Sequence, residues 1–135
     1  MYDAVGRLIT DVGAELAALP DKERPARVTV VVLTDGHENS SREWTHKAVS
    51  KAIGRQERDY AWDFVFLGAN MDAVVIGQQL GFAADRALTY AADGDGVGGA
   101  WAATAKYMAR RNAAPAASRV EGFSEDDRAG ARGNR

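Results

Sequence analysis

The chain has 135 residues, of which 46% are hydrophobic and 27% charged, with a formal net charge of −2. This size and composition are typical of one globular domain with its own core, and the small net charge argues against a nucleic-acid-binding protein, which needs a concentrated basic face. The absence of cysteine excludes disulfides and thiolate metal sites. Because the sequence has no signal sequence and no run of about 18 apolar residues, we expect a cytoplasmic protein that does not contact a membrane.

Helices and strands are predicted to alternate along the chain. Apolar residues at helical spacing indicate the helices, and apolar β-branched or aromatic runs indicate the strands. Pro20 stops the first helix, and Ser40 and Glu43 have the spacing of a capping box. Asn70 and Gly81 are placed to begin and end a short helix. In chain order the predicted elements are a helix over 2–19, a strand over 28–33, a helix over 41–58, a strand over 62–67, a helix over 71–80, a strand over 87–91 and a helix that ends near 111.

The last predicted helix and the residues after it differ in character. The helix is expected to turn inward a face made of Val97, Ala100, Trp101, Ala105 and Met108. From Asn112 onward the chain is rich in Ala, Gly and Arg, and Val120 and Phe123 are its only large apolar residues. We therefore expect a domain over 1–111 and a mostly disordered tail over 112–135.

The alternation predicts an α/β fold: a doubly wound, Rossmann-like parallel sheet with about three strands and four helices. The outer strands of such a sheet are edges, which natural proteins protect with Lys, Pro or bulges. The run from Val28 to Leu33 has none of these and reads as a strand with neighbours on both sides. We expect either a further strand upstream of this chain or a homo-oligomer in which a second copy pairs with the 28–33 edge.

Asp35 is the leading candidate for a functional residue. It follows the first strand directly, in a loop that reads Thr34-Asp-Gly-His-Glu-Asn-Ser-Ser41. Ligands of open α/β sheets bind beyond the carboxyl ends of the strands, which is where Asp35 is predicted to lie. The residues alone leave open a second interpretation, in which the Asp35 carboxylate caps the local turn.

Three segments of the chain have a family likeness. They read Tyr2-Asp-Ala-Val-Gly6, Val30-Val-Val-Leu-Thr-Asp-Gly-His-Glu-Asn-Ser-Ser41 and Trp62-Asp-Phe-Val-Phe-Leu-Gly-Ala-Asn70. Together they resemble the C-terminal portion of a von Willebrand factor type A (VWA) domain of the intracellular bacterial and phage kind. The most specific piece is Thr-Asp-Gly at a strand end, followed by Glu-Asn-Ser.

The resemblance implies a doubly wound sheet with a metal-ion-dependent adhesion site built from three loops. The family's first loop carries Asp-x-Ser-x-Ser, the second carries a Thr shortly before the helix that begins Tyr-Asp-Ala, and the third carries the Asp of Thr-Asp-Gly. Only the third loop is present here, and its Asp is Asp35. The chain therefore resembles a VWA domain that is truncated at its N-terminus.

The function implied by the resemblance is that of a non-catalytic protein-binding module. In the intact domain Mg²⁺ or Mn²⁺ at Asp35 would receive a carboxylate from a partner protein, since these hard cations prefer oxygen ligands. In this chain alone we expect no ordered metal, because two of the three loops are lacking. The residues expected to contact the ligand or partner are Thr34, Gly36, His37, Glu38, Asn39 and Asn70.

Other chemistries are weaker on the residues present. A zinc site at His37 and Glu38 would need three or four converging ligands, and the other histidine, His46, lies within a predicted helix. The glycine-rich turn at 93–96 lacks the lysine of a phosphate-binding loop. Two alternatives stay open: a Mg²⁺-dependent hydrolase or phosphoryl-transfer enzyme that uses Asp35, and a structural fragment that is stable only as an oligomer.

Overall fold

A computed structural model describes residues 1–35, 41–115 and 118–133. Within these ranges the strands and helices alternate in the predicted way. The elements are α1 (Tyr2–Ala17), β1 (Thr29–Thr34), α2 (His46–Tyr60), β2 (Asp63–Ala69), α3 (Ala73–Gln79), β3 (Ala87–Tyr90), α4 (Gly94–Ala113) and α5 (Glu125–Ala131). No helix in the described ranges is both long and apolar enough to cross a membrane.

The three strands form one parallel sheet in the order β1-β2-β3. Every residue of the central strand β2 is buried. Phe64 and Phe66 turn toward α1, α2 and α3 on one face, and Val65 and Leu67 turn toward α4 and α5 on the other. Helices thus cover both faces, and the predicted α/β class with a Rossmann-like, partial doubly wound sheet is confirmed.

The predicted helix starts are wrong in two places. Helix α2 begins at His46, where the Thr45 side chain accepts a hydrogen bond from the Ala48 amide, so the capping box expected around Glu43 does not start it. Helix α3 is capped by Asp72, whose carboxylate accepts from the Val75 amide, and not by Asn70. In both cases a suitable side chain nearer the helix takes the role. The partner of Glu43 in the predicted box, Ser40, lies outside the described residues.

The predicted helix end at Gly81 is confirmed. Gly81 has φ +98°, the left-handed conformation that commonly ends a helix, and its amide donates to the Gln78 carbonyl.

The inner face predicted for the last helix is largely wrong. Trp101 is 49% exposed, and Val97 and Met108 are also exposed. The buried face of α4 instead contains Ala103, Thr104 and Tyr107. Small residues bring the helix close to its neighbours: a Cβ at Gly99 would lie 2.2 Å from the Gly130 carbonyl oxygen of α5.

The expectation of a mostly disordered tail is wrong for residues 118–133. Helix α5 packs against α4, and its start has a reciprocal capping box between Ser124 and Asp127. Phe123 and Ala131 are buried in the same core cluster as β2 and β3. The folded domain therefore extends past 111.

Strand β1 is an edge strand in the described part of the chain. It pairs with β2 on one side, in register from Thr29 opposite Asp63 to Thr34 opposite Gly68. Leu33 is 50% exposed, although the sequence predicted a strand covered on both sides. The other outer strand, β3, is protected by α5, because Arg128 donates to the Ala87 carbonyl over 2.9 Å.

Candidate functional site at the carboxyl edge of the sheet

Asp35 lies directly after β1, at the edge where all three parallel strands end. Its side chain is exposed and makes no ion pair with the described residues. Tyr90, the last residue of β3, is close enough to feel this charge: burial raises the pKa of the Tyr90 hydroxyl, and the Asp35 carboxylate raises it further. The Asp35 charge therefore acts as far as the end of β3.

Asn70 reaches the same edge from the end of β2. It has φ +52°, and its amide donates to the Tyr90 carbonyl over 2.9 Å. Its side-chain oxygen accepts from the Ala92 amide at 3.4 Å. Asn70 thus joins the end of β2 to the turn that leads into α4, and its predicted role in binding a partner stays a prediction.

Asp3, in the first turn of α1, is a residue of this edge that the sequence analysis did not single out. Its carboxylate accepts three backbone hydrogen bonds, from the amides of Arg42 at 2.9 Å, Glu43 at 3.0 Å and Trp44 at 2.7 Å. Its own amide donates to the Ser41 hydroxyl over 3.0 Å. The Asp3 side chain therefore fastens the last part of the loop that starts at Asp35 onto the amino end of α1.

These amide contacts also act on the acidity of Asp3. The hydrogen bond from Arg42, followed by those from Trp44 and Glu43, lowers the pKa of Asp3 against an opposing effect of desolvation. The ionised form is the one that accepts all three bonds. The only sequence signal was an acid in the first turn of a helix, which does not reveal partners about forty positions away along the chain.

Trp44 provides a second contact between the same two segments. Its indole lies against the bare backbone of Gly6, where a Cβ would come within 2.0 Å of the ring. Only glycine leaves room for this approach. The amino end of α1 and the segment 41–44 are thus joined by one packed ring and a set of hydrogen bonds.

Several predicted site residues cannot be placed. Gly36, His37, Glu38 and Asn39 lie outside the described residues. Thr34, the last residue of β1, is half-buried at the same edge as Asp35. The geometry therefore brings together Thr34, Asp35 and Asn70.

The described residues do not by themselves fit a resident Mg²⁺ or Mn²⁺ ion. Such ions take about six oxygen ligands in near-octahedral geometry. Asp35 offers one free carboxylate, while the Asn70 oxygen and the Asp3 carboxylate already accept backbone hydrogen bonds. No group of three or more His, Asp or Glu side chains in the described ranges is arranged to hold a metal ion.

A buried polar cluster lies at the opposite, amino end of the sheet. Asp63, the first residue of β2, forms an ion pair with Arg86 at 2.9 Å and a longer one with Arg111 at 3.5 Å. The Tyr107 hydroxyl donates to Asp63 and accepts from the Arg86 guanidinium over 2.7 Å. Burial, followed by the hydrogen bond to Asp63, raises the pKa of the Tyr107 hydroxyl. These groups bond to one another and connect β2, the residues just before β3, and α4.

Comparison of the chain with protein-family models, with curated proteins and with solved structures finds no match. The resemblance to VWA domains therefore depends on the sequence segments quoted above.

Proposed function

We propose that this protein is a non-catalytic, cytoplasmic protein-binding module of the VWA type, and that its binding face is the carboxyl edge around Asp35. The main supporting observation is that the exposed Asp35 carboxylate at the end of β1, which has no ion pair among the described residues, shares this edge with the anchored amino end of α1. Ligands of open parallel sheets bind at this edge. The surrounding contacts to the partner are assigned to Thr34, Gly36, His37, Glu38, Asn39 and Asn70.

The proposal includes Asp35 as one ligand of Mg²⁺ or Mn²⁺. Since the described residues supply too few oxygens, the other ligands come from outside them. One carboxylate binds such ions weakly when exposed to water, because water screens the attraction. The affinity expected of this chain alone is therefore millimolar or weaker, which calls for a measurement that detects weak binding.

Paramagnetic broadening of amide NMR signals by Mn²⁺ provides that measurement. Mn²⁺ should broaden the signals of Thr34, Asp35 and Asn70 at the carboxyl edge before those elsewhere, and Asp35→Asn should abolish this preference. The matched control is Asp59→Asn, which removes an exposed carboxylate from the far end of α2. Equal broadening in the wild type and the Asp35→Asn variant would refute the metal part of the proposal.

A second candidate function is self-association through β1. The Asp63 backbone amide donates to the Val28 carbonyl, so the backbone groups of Val28 face β2. Because the backbone groups of successive residues in a strand point to opposite sides, those of Thr29, Val31 and Leu33 face away from β2. Together with the half-exposed Leu33 side chain, they form an edge able to accept another strand. A second copy of this chain is the occupant proposed for it.

Sedimentation velocity separates this candidate from a monomeric module. Self-association through β1 predicts a dimer that dissociates in the Leu33→Lys variant, because a charge on an edge strand blocks strand addition. Val75→Lys is the matched control, since Val75 is similarly exposed (48%) but lies on α3. A wild-type chain that stays monomeric at high concentration would exclude this candidate.

The enzyme alternative receives no support from the described residues. A hydrolase or phosphoryl-transfer site needs further acidic or basic groups near Asp35. The acidic and basic side chains that the structure brings together at the sheet, Asp63, Arg86 and Arg111, lie at its opposite end and are engaged with one another.

A further inference from the structure

A cavity of about 450 Å³ lies at the amino end of the sheet, away from Asp35. It is bounded by the carboxyl-terminal halves of α1 and α2, the link before β1, and the residues just before β1 and β2. Its volume is in the range of small-molecule sites, about 300–1,000 Å³. Its lining contains none of the residues assigned to the proposed binding face.

The walls of the cavity are partly apolar and partly polar. Ile9 and Trp62 are buried, and Val28 is half-buried beside them. The α1 side of the cavity includes small residues, among them Gly13 and Ala14. A Cβ at Gly13 would meet only the Gln56 amide nitrogen, at 3.9 Å, so the space in front of α1 is open.

Gln56 is a polar group turned into this cavity. Its side chain is only 5% exposed, yet its amide makes no hydrogen bond to any described residue. Because the Gln56 amide is reached from the cavity, a ligand or water there can supply its missing hydrogen bond.

The charge of the lining is entirely positive. Arg24 and Arg55 contribute to it, and no acidic residue does. Arg24 is held in place by Asp21 at 3.0 Å and by the carbonyls of Ala17 and Leu19. Arg55 has no ion pair among the described residues and is available to bind an anion.

We propose that this cavity binds a small molecule with one carboxylate and an apolar body. The carboxylate is recognised by Arg55 and the Gln56 amide, and the apolar body packs against Ile9, Val28 and Trp62. This site is independent of the binding face at Asp35, because it lies at the other end of the strands. The two proposals can therefore fail separately.

The test is an amide NMR titration with three carboxylates of this kind, namely benzoate, 4-phenylbutyrate and octanoate, together with neutral 4-phenyl-1-butanol. At least one carboxylate should give saturable shifts at Gly13, Gln56 and the Trp62 indole, with a Kd of about 1 mM for a ligand of this size. The alcohol should bind about tenfold more weakly than 4-phenylbutyrate, because it lacks the charge-assisted hydrogen bond.

Two variants and their controls make the test specific. Arg55→Gln should weaken carboxylate binding about tenfold and leave the alcohol unaffected. Gly13→Leu should fill the cavity and abolish binding of both. The controls are Arg58→Gln for the arginine and Gly54→Leu for the glycine, both on α2 outside the cavity, and Gly54 faces open space. Both control variants should bind the carboxylates and the alcohol like the wild type.

Three results would overturn the proposal. The first is the absence of saturable shifts with all three carboxylates. The second is equal affinity for 4-phenylbutyrate and the alcohol, which would remove the role of Arg55. The third is unchanged binding in a folded Gly13→Leu variant, which would place the ligand elsewhere.

Discussion

Replacement of Tyr107 by Phe removes one hydroxyl from the buried polar cluster and leaves the volume of the ring unchanged. The ring is fully buried, and the hydroxyl bonds to Asp63 and Arg86, each of which is only 7% exposed. Hydrogen bonds to charged groups contribute about 1.5–3 kcal/mol each, and two are lost here. Asp63 keeps its ion pairs with Arg86 and Arg111, which offsets part of the cost. We therefore expect a loss of about 3 kcal/mol in the free energy of unfolding.

Urea denaturation at pH 7, followed by tryptophan fluorescence, measures this loss. The control is Tyr60→Phe, whose ring is 64% exposed and which should change stability by less than about 0.5 kcal/mol. A Tyr107→Phe variant within 0.5 kcal/mol of the wild type would show that the hydroxyl does not stabilise the cluster.

The same variant has a pH dependence whose sign follows from the raised pKa of Tyr107. A group with a raised pKa in the folded state contributes fully below its unfolded pKa, about 10 for Tyr, and loses its contribution as the pH rises above that value. The stability difference between the wild type and Tyr107→Phe should therefore shrink by about 1 kcal/mol between pH 8 and pH 10.5. A difference that stays constant or grows over this interval would contradict the assignment.

Three further substitutions test the contacts that close the fold. Phe123→Ala should destabilise the protein by about 3 kcal/mol in the same urea assay, because it removes a buried ring, whereas a disordered tail would tolerate it. Gly99→Ala should lower the free energy of unfolding by about 2 kcal/mol or more, because the new methyl meets the backbone of α5. Its control, Gly98→Ala, faces open space and should be neutral or stabilising, so equal effects of the two would contradict the close packing of α4 and α5. Asp3→Ala should speed proteolytic cleavage at 41–44, and cleavage at the wild-type rate would contradict the anchoring role. Because the pKa of Asp3 is lowered, its contribution in the wild type should be present above pH about 4 and be lost as the pH falls further.

The sheet could be predicted from the sequence because the pattern of apolar residues within each strand indicates the strand. The run 62–67 is apolar on both faces, and β2 is buried throughout. A long-range arrangement leaves no such local signal. Asp63 stands in the sequence as one polar residue at the start of an apolar strand, and its partners Arg86 and Tyr107 become visible only when β3 and α4 pack beside it.

The folding of residues 118–133 onto the domain could not be predicted, for a related reason. Its docking depends on the Phe123 ring together with small residues and backbone contacts, which give little signal in the sequence. Arg128 bonds to the Ala87 carbonyl, and the Ala91 amide donates to the Ala131 carbonyl at 2.8 Å. The prediction for Trp101 is wrong in the opposite direction, because its size suggests a core position that smaller neighbours on α4 occupy.

The candidate site could be predicted only in part. The position of Asp35 at a strand end followed from the pattern of the strand, and the structure has it exposed at the carboxyl edge. The anchoring role of Asp3 could not be predicted, because its carboxylate accepts hydrogen bonds from backbone amides that almost any residue types at 42–44 would supply.

The central claim is that Asp35 is a metal ligand on the partner-binding face. The most direct measurement is an anomalous difference map from a crystal of this chain soaked in Mn²⁺ at high concentration. Because the affinity proposed for this chain alone is millimolar or weaker, we expect a peak of partial occupancy at the Asp35 carboxylate at this high Mn²⁺ concentration and none at micromolar Mn²⁺, and we expect no peak there in the Asp35→Asn variant. A peak elsewhere with none at Asp35, or a map without any peak, would contradict it.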